Sequence, residues 1–221
     1  MVQPGQFLER PAVIRTPDED LVLEGLYHRG EKLPPLVFAP PHPMMGGSMD
    51  SPVCNEVAFA CYKEERPSLR FNFRGVGASR GKVSASLEDA VRDFSCAADF
   101  LLDSCKTART IVGGYSFGSL AAGKYALAHP ERASAALLVA PPVGKIEGSF
   151  LREISAPGLV LVPQDDAYGP PKAIQSLFEG MDHVRIEVIP RADHFFTRGL
   201  ADVGRLVREW LRRMGQPVKI E

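Results

Sequence analysis

The ten residues Ile111-Val112-Gly113-Gly114-Tyr115-Ser116-Phe117-Gly118-Ser119-Leu120 constrain the chain more than any other stretch. An apolar, strand-like run stops at glycines around one serine and passes at once into small and apolar residues at helical spacing. Its centre has the form Gly-x-Ser-x-Gly, and the reason for that spacing is steric. A serine at the tip of a tight strand-to-helix turn sits in strained backbone geometry, and flanking residues without a Cβ let strand and helix close around it. The spacing predicts that Ser116 projects above the end of a sheet.

The rest of the chain can supply that sheet. Residues 12–15 and 21–27 are extended stretches separated by Thr16-Pro17-Asp18-Glu19-Asp20, whose proline and aspartates favour a turn, so they predict an antiparallel hairpin. Residues 36–39, 135–140 and 159–162 are short all-apolar runs, as expected of strands buried on both faces, and 69–73 and 184–189 also read as strands. Between them lie helical patterns. One starts at Ser51-Pro52, and one runs from 120 to 127 with small residues that allow close packing. A third covers 170–179 and a strongly amphipathic one covers 200–214. The clearest runs from Ser86 to Cys105, with Leu87, Val91, Phe94, Ala98, Leu101 and Leu102 on one face and Glu88, Asp89, Arg92 and Asp93 opposite. Ser86 and Asp89, three apart, mark its capped start. A hairpin followed by alternating strands and helices predicts an α/β fold: a mostly parallel central sheet with an antiparallel N-terminal hairpin and helices on both faces. With 221 residues, 45% of them hydrophobic, the chain is expected to be one domain spanning 1–221. The tail from Gln216 is expected to fray.

Charge and composition narrow the function. Twenty-six Lys and Arg against 27 Asp and Glu, a net charge of −1, give no field to gather nucleic acid or an acidic membrane surface. No run approaches the ~18 apolar residues of a membrane span, and Met1-Val2-Gln3-Pro4-Gly5 does not read as an export signal. Cys54, Cys61, Cys96 and Cys105 fall inside expected helices without Cys-x-x-Cys spacing, which predicts buried reduced thiols and a cytoplasmic location. The loop Arg74-Gly75-Val76-Gly77-Ala78-Ser79-Arg80-Gly81 invites a dinucleotide reading, but Arg80 stands at the third glycine position and no helix opens there. No cofactor and no metal are expected, and His28, His129 and His183 read as surface or capping residues.

In a sheet of this kind, catalytic groups collect on the loops that leave the carboxyl ends of strands. The strand at 159–162 releases Asp165 and Asp166, and the strand at 184–189 releases Asp193-His194-Phe195-Phe196. Ser116, one of the two aspartates, and His194 therefore follow in chain order, each after its own strand. Serine is too weak an acid to attack a carbonyl unaided, so an imidazole must take its proton and a buried carboxylate must hold that imidazole.

Four stretches carry a resemblance across nearly the whole chain: residues 41–49 (Pro-His-Pro-Met-Met-Gly-Gly-Ser-Met), 70–79 (Arg-Phe-Asn-Phe-Arg-Gly-Val-Gly-Ala-Ser), 114–118 and 192–196. The chain resembles the α/β-hydrolase superfamily, and within it the small, lidless bacterial serine-hydrolase branch. The resemblance implies Ser116 as nucleophile, His194 as general base and Asp166 as acid, since members usually place the acid four residues before a proline, as Asp166 stands to Pro170. It implies oxyanion donors at the backbone N–H of Phe117 and of Met44, with His42 buttressing the loop. Tyr115, Tyr168 and Phe195, beside the catalytic positions, are expected to line the substrate pocket, as Phe117 and Phe196 also could. Only residues 141–157 lie where relatives insert a lid, so no lid domain and an open, shallow site for a small ester are expected. The expected reaction is hydrolysis of carboxylic esters or thioesters through an acyl-enzyme, without a cofactor. A small peptidase or amidase, and a non-catalytic binder on the same scaffold, are the alternatives. The exposed hairpin edge could pair with a second copy into a homodimer.

Overall fold

The computed structural model describes residues 8–214, so the readings of residues 1–5 and of the tail from Gln216 lie outside the described residues. These residues form an eight-stranded sheet in the order β1-β2-β4-β3-β5-β6-β7-β8. The hairpin strands β1 (Arg10–Arg15) and β2 (Val22–His28) pair antiparallel, and β2 meets β4 (Ser68–Phe71) antiparallel. From there on the sheet is parallel, through β3 (Leu36–Ala39), β5 (Thr110–Tyr115), β6 (Ala133–Val139), β7 (Gly158–Pro163) and β8 (Val184–Ile189). Along the free edge of β1, Pro11 has no N–H to offer and Arg10 and Arg15 are exposed, which blunts pairing with another strand.

Side chains alternate across each strand, so one sheet feeds two cores. Leu36, Phe38 and Ile111 pack on one side beneath α1 (Pro52–Lys63) and α5 (Leu200–Met214). Val37, Ala39 and Val112 pack on the other beneath α2 (Leu87–Cys105), α3 (Phe117–Ala128) and α4 (Pro171–Leu177). The Ser86 hydroxyl accepts from Asp89 N–H at 3.3 Å, capping α2 as its spacing predicts. Between β6 and β7 the only regular element is one 3-10 turn, Ser149–Glu153, so no lid domain stands there.

Several expectations need correction. Asp93 does not lie on the solvent face of α2. It is 1% exposed, because Arg74 reaches over from the glycine-punctuated loop and bonds its carboxylate at 2.8 Å. That loop is thus a braced structural turn, and Gly75, at φ +72°, has no room for a Cβ, which would lie 2.3 Å from Val83 N. Only two of the four cysteines are fully buried. Burial pushes the Cys54 and Cys61 thiols up to about 12, while Cys96 and Cys105 are partly exposed. His28 is buried rather than on the surface, against the Tyr62 ring. The helix expected over 170–179 is shorter, ending at Leu177.

Candidate active site

β5 ends at Tyr115, α3 begins at Phe117, and Ser116 between them is held at φ 53°, ψ −121°. A non-glycine residue is rarely found there, and the strain is maintained by the packing on either side. A Cβ on Gly114 would lie 2.2 Å from the backbone of Gly118, and one on Gly118 would lie 2.4 Å from Pro40 O. Both glycines are therefore required: one lets the helix cross its own strand, and the other lets it abut the end of β3.

The loops after β7 and β8 bring their residues to this serine. Ser116 Oγ lies 2.9 Å from His194 Nε2, and His194 Nδ1 lies 2.9 Å from Asp166 Oδ2 and 3.1 Å from Oδ1. All three residues are buried. Asp166 Oδ1 also accepts the N–H groups of Tyr168 at 2.7 Å and Gly169 at 3.0 Å. A carboxylate so surrounded by donors pairs with Nδ1–H and leaves Nε2 as an acceptor facing the serine hydroxyl. Asp165 turns away into solvent, its own N–H bonded to Ala192 O at 2.9 Å. Of the two neighbouring aspartates, Asp166 and not Asp165 is thus placed against His194.

Aromatic rings hold the imidazole. Tyr168 stacks on it with centroids 4.3 Å apart, and Phe195 meets it edge-on at 5.5 Å. Tyr115 borders the cavity, and its hydroxyl donates to His194 O at 2.7 Å, so it braces the histidine loop. Burial pushes its phenol up, keeping it a donor. Phe196 is buried against Tyr115 rather than facing a ligand.

On the other side, residues 40–51 link β3 to α1 through a 3-10 turn, Pro43–Met45. Phe117, the first residue of α3, has no carbonyl within its helix for its N–H to reach. Met44 N–H is engaged: it donates to His42 Nδ1 at 3.2 Å, and the His42 ring rests against Phe117 with centroids 4.7 Å apart. Burial holds the His42 imidazole below its ordinary value, favouring the neutral form that can accept this bond. The Met44 side chain is exposed and lies outside the cavity lining, which takes Met45 instead.

Ser116 and His194 open onto a cavity of about 730 Å³. Its walls include Pro41, Met45, Val53, Phe117, Ile146, Tyr168 and Phe195, with Lys145 and Asp50 as its charged residues. Pro142, Lys145 and Ile146 from the loop after β6 form one side wall of this cavity. Sequence reasoning missed this wall, the Tyr115 brace and Asp50, all of which depend on chain segments meeting across the fold. Among the described residues no group of three or more His, Cys, Asp or Glu is placed to hold a metal ion, and no helix is long and apolar enough to cross a membrane.

The sheet order and the strained serine turn between β5 and α3 are those of the α/β-hydrolase fold. Comparison with known proteins agrees. A family model described as serine aminopeptidase, S33, matches residues 46–152. An uncharacterised protein of Rickettsia prowazekii is 29% identical over 205 residues, covering 86% of this chain and 84% of that one. An α/β serine hydrolase homologue from Coxiella burnetii superposes with a TM-score of 0.81 at 24% identity, covering 96% of this chain and 99% of its own. A lidless α/β serine hydrolase from Xanthomonas campestris gives 0.81 at 23% identity, covering 98% and 100%. The chain thus shares the α/β-hydrolase fold of these solved structures.

Proposed function

We propose that the chain is a serine hydrolase that cleaves carboxylic esters, or thioesters, through an acyl-enzyme on Ser116. The observation that carries this reading is the unbroken line from Ser116 Oγ through the His194 ring to the Asp166 carboxylate, opening on one cavity. Ser116 Oγ attacks the carbonyl carbon while its proton passes to His194 Nε2, and Asp166 stabilises the resulting imidazolium. The oxyanion lies against Phe117 N–H at the positive end of α3. In this reading Met44 N–H turns from the His42 ring toward the oxygen as charge develops. Collapse expels the alcohol or thiol, which takes the proton from His194, and water then repeats the sequence on the acyl-enzyme. The mostly apolar walls suit an acyl or aryl group of moderate size, with Tyr168 and Phe195 beside the scissile bond.

A fluorophosphonate probe tests the mechanism. It is expected to label the wild type and not Ser116→Ala; an unlabelled wild type, or equal labelling of both, would overturn the reading in favour of a non-catalytic binder. The matched family description and one feature of the cavity favour a second reading, a small peptidase or amidase. Asp50 presents a carboxylate, 70% exposed, to the cavity, where a substrate ammonium could meet it. Higher kcat/KM on aminoacyl p-nitroanilides than on p-nitrophenyl esters would select that reading.

A further inference from the structure

The loop of residues 40–51 is fixed at both ends, and its second anchor lies outside the catalytic set. At its start, Gly118 packs against Pro40 O and Ala39 O with no space for a side chain. Near its end, the buried Met49 is gripped by both of its backbone polar groups: its N–H donates to Asn72 Oδ1 at 2.8 Å and its C=O accepts from Arg70 Nη1 at 2.7 Å. Between the anchors, His42 O accepts from both Met45 N and Gly47 N at 3.1 Å, and a Cβ on Gly47 would lie 2.4 Å from Pro41 O. This leaves little slack by which a shift at Met49 could be absorbed before it reaches the turn that holds Met44 N–H.

We propose that Asn72 and Arg70 are positioning residues that set the Met44 N–H for oxyanion binding through the backbone of Met49, a proposal that rests on the serine-hydrolase reading of the site. Both side chains are buried and both are wired on their far side as well. Asn72 Nδ2 donates to Glu24 Oε2 at 2.9 Å, and that oxygen also accepts Ala78 N–H at 2.8 Å. Because a carboxylate only accepts, it fixes the amide end for end and presents Oδ1 to Met49. Gly77, at φ +57°, closes over this contact, where a Cβ would lie 2.5 Å from Glu24 Oε2 and 2.6 Å from Asn72 Nδ2. Arg70 is held by the Glu9 carboxylate through Nε at 2.8 Å and through Nη2, and it also bonds the Asn55 side chain and reaches Asp50 Oδ1 at 3.4 Å. Arg70, within β4, and Asn72, just past its end, thus both serve the active-site loop.

The orientation of the Glu24–Asn72 pair supplies the test. Asn72→Asp keeps the shape and an acceptor toward Met49 but sets two carboxylates face to face, whereas adding Glu24→Gln removes that repulsion and offers position 72 a donor, at the expense of the bond from Ala78 N–H. Competent sites are counted by fluorophosphonate titration to its end point. Per site, Asn72→Asp is expected to lower kcat for p-nitrophenyl acetate about 10- to 100-fold with KM little changed, and to weaken a trifluoromethyl ketone inhibitor by a similar factor. The double variant is expected to recover both to within about three-fold of Glu24→Gln alone. If Asn72→Asp does not fold, Arg70→Lys, which keeps the charge but loses the planar fork, takes its place with the same expected losses. Unchanged turnover and inhibitor binding per site, or a KM effect alone, would overturn the positioning role. An unlabelled wild type would overturn the serine-hydrolase reading and this proposal with it, while a labelled wild type beside unaffected variants would overturn only this one.

Discussion

Asp165 and Asp166 are the same side chain one residue apart, and the fold gives them opposite surroundings. Both follow β7 in a turn: Asp166 N–H bonds back to Pro163 O at 3.3 Å and Asp165 N–H is tied to Ala192 O at 2.9 Å, which leaves Asp166 facing His194 and Asp165 facing water. Asp166→Asn is therefore expected to lower kcat by roughly 10³- to 10⁴-fold through loss of the imidazole's orientation. Asp165→Asn should stay within about two-fold of wild type, since exposed substitutions away from such contacts change little. A p-nitrophenyl acetate assay checks both, and equal losses would overturn the assignment. The three residue types and their chain order were legible in the sequence, because each follows a strand that its apolar run marks. The choice of aspartate came from the resemblance, not from the residues, since it depends on which way one peptide unit faces. The engagement of Met44 N–H by His42 was not legible either, because it depends on where a ring settles.

At the scale of elements, the serine turn and the cap of α2 were both readable from local spacing, and each yields a measurable cost. Gly114→Ala would drive a Cβ into backbone atoms that cannot move aside, so a loss of about 3 kcal/mol or more is expected in urea unfolding, with failure to fold as the limiting case. Ser86→Ala removes the acceptor for Asp89 N–H and is expected to cost about 0.5–2 kcal/mol in the same measurement, without affecting turnover per competent site. Periodicity failed where a partner arrives from elsewhere in the chain. Asp93 occupies a polar position on its own helix, and only the approach of Arg74 turns it into a buried residue. Arg70 in β4 and Asn72 just beyond its end are both buried, because β4 lies between β2 and β3 and partners reach them from distant segments.

At the scale of the whole molecule, the plan of one sheet covered on both faces was legible from the alternation of strands and helices, while the strand order was not. The pairing of β2 with β4 and of β3 with β5 joins strands that are not consecutive, and no local signal encodes it. The α1–α5 layer carries its own charge lock: Glu64 at the end of α1 accepts from Arg208 at 3.0 Å and Arg212 at 2.8 Å on α5. Burial alone would raise the Glu64 carboxyl, but the two guanidinium groups outweigh it and hold it below the usual carboxylate value. With the folded value depressed, the contribution to stability is present above the unfolded value, about 4.3, and disappears as pH falls through the folded one. Glu64→Gln should therefore lower the melting temperature at neutral pH, with the gap from wild type closing in strong acid; a gap independent of pH would contradict the lock. Trp210, the one tryptophan of the chain, is buried in this same layer. Emission from its indole follows the α1–α5 face of the sheet and is nearly blind to the other, whereas turnover draws on both: the helix opened by Ser116 belongs to one face, and Ala192 and Phe196, which flank His194, belong to the other. Two melting curves on one sample, one optical and one enzymatic, would coincide only if the halves come apart together.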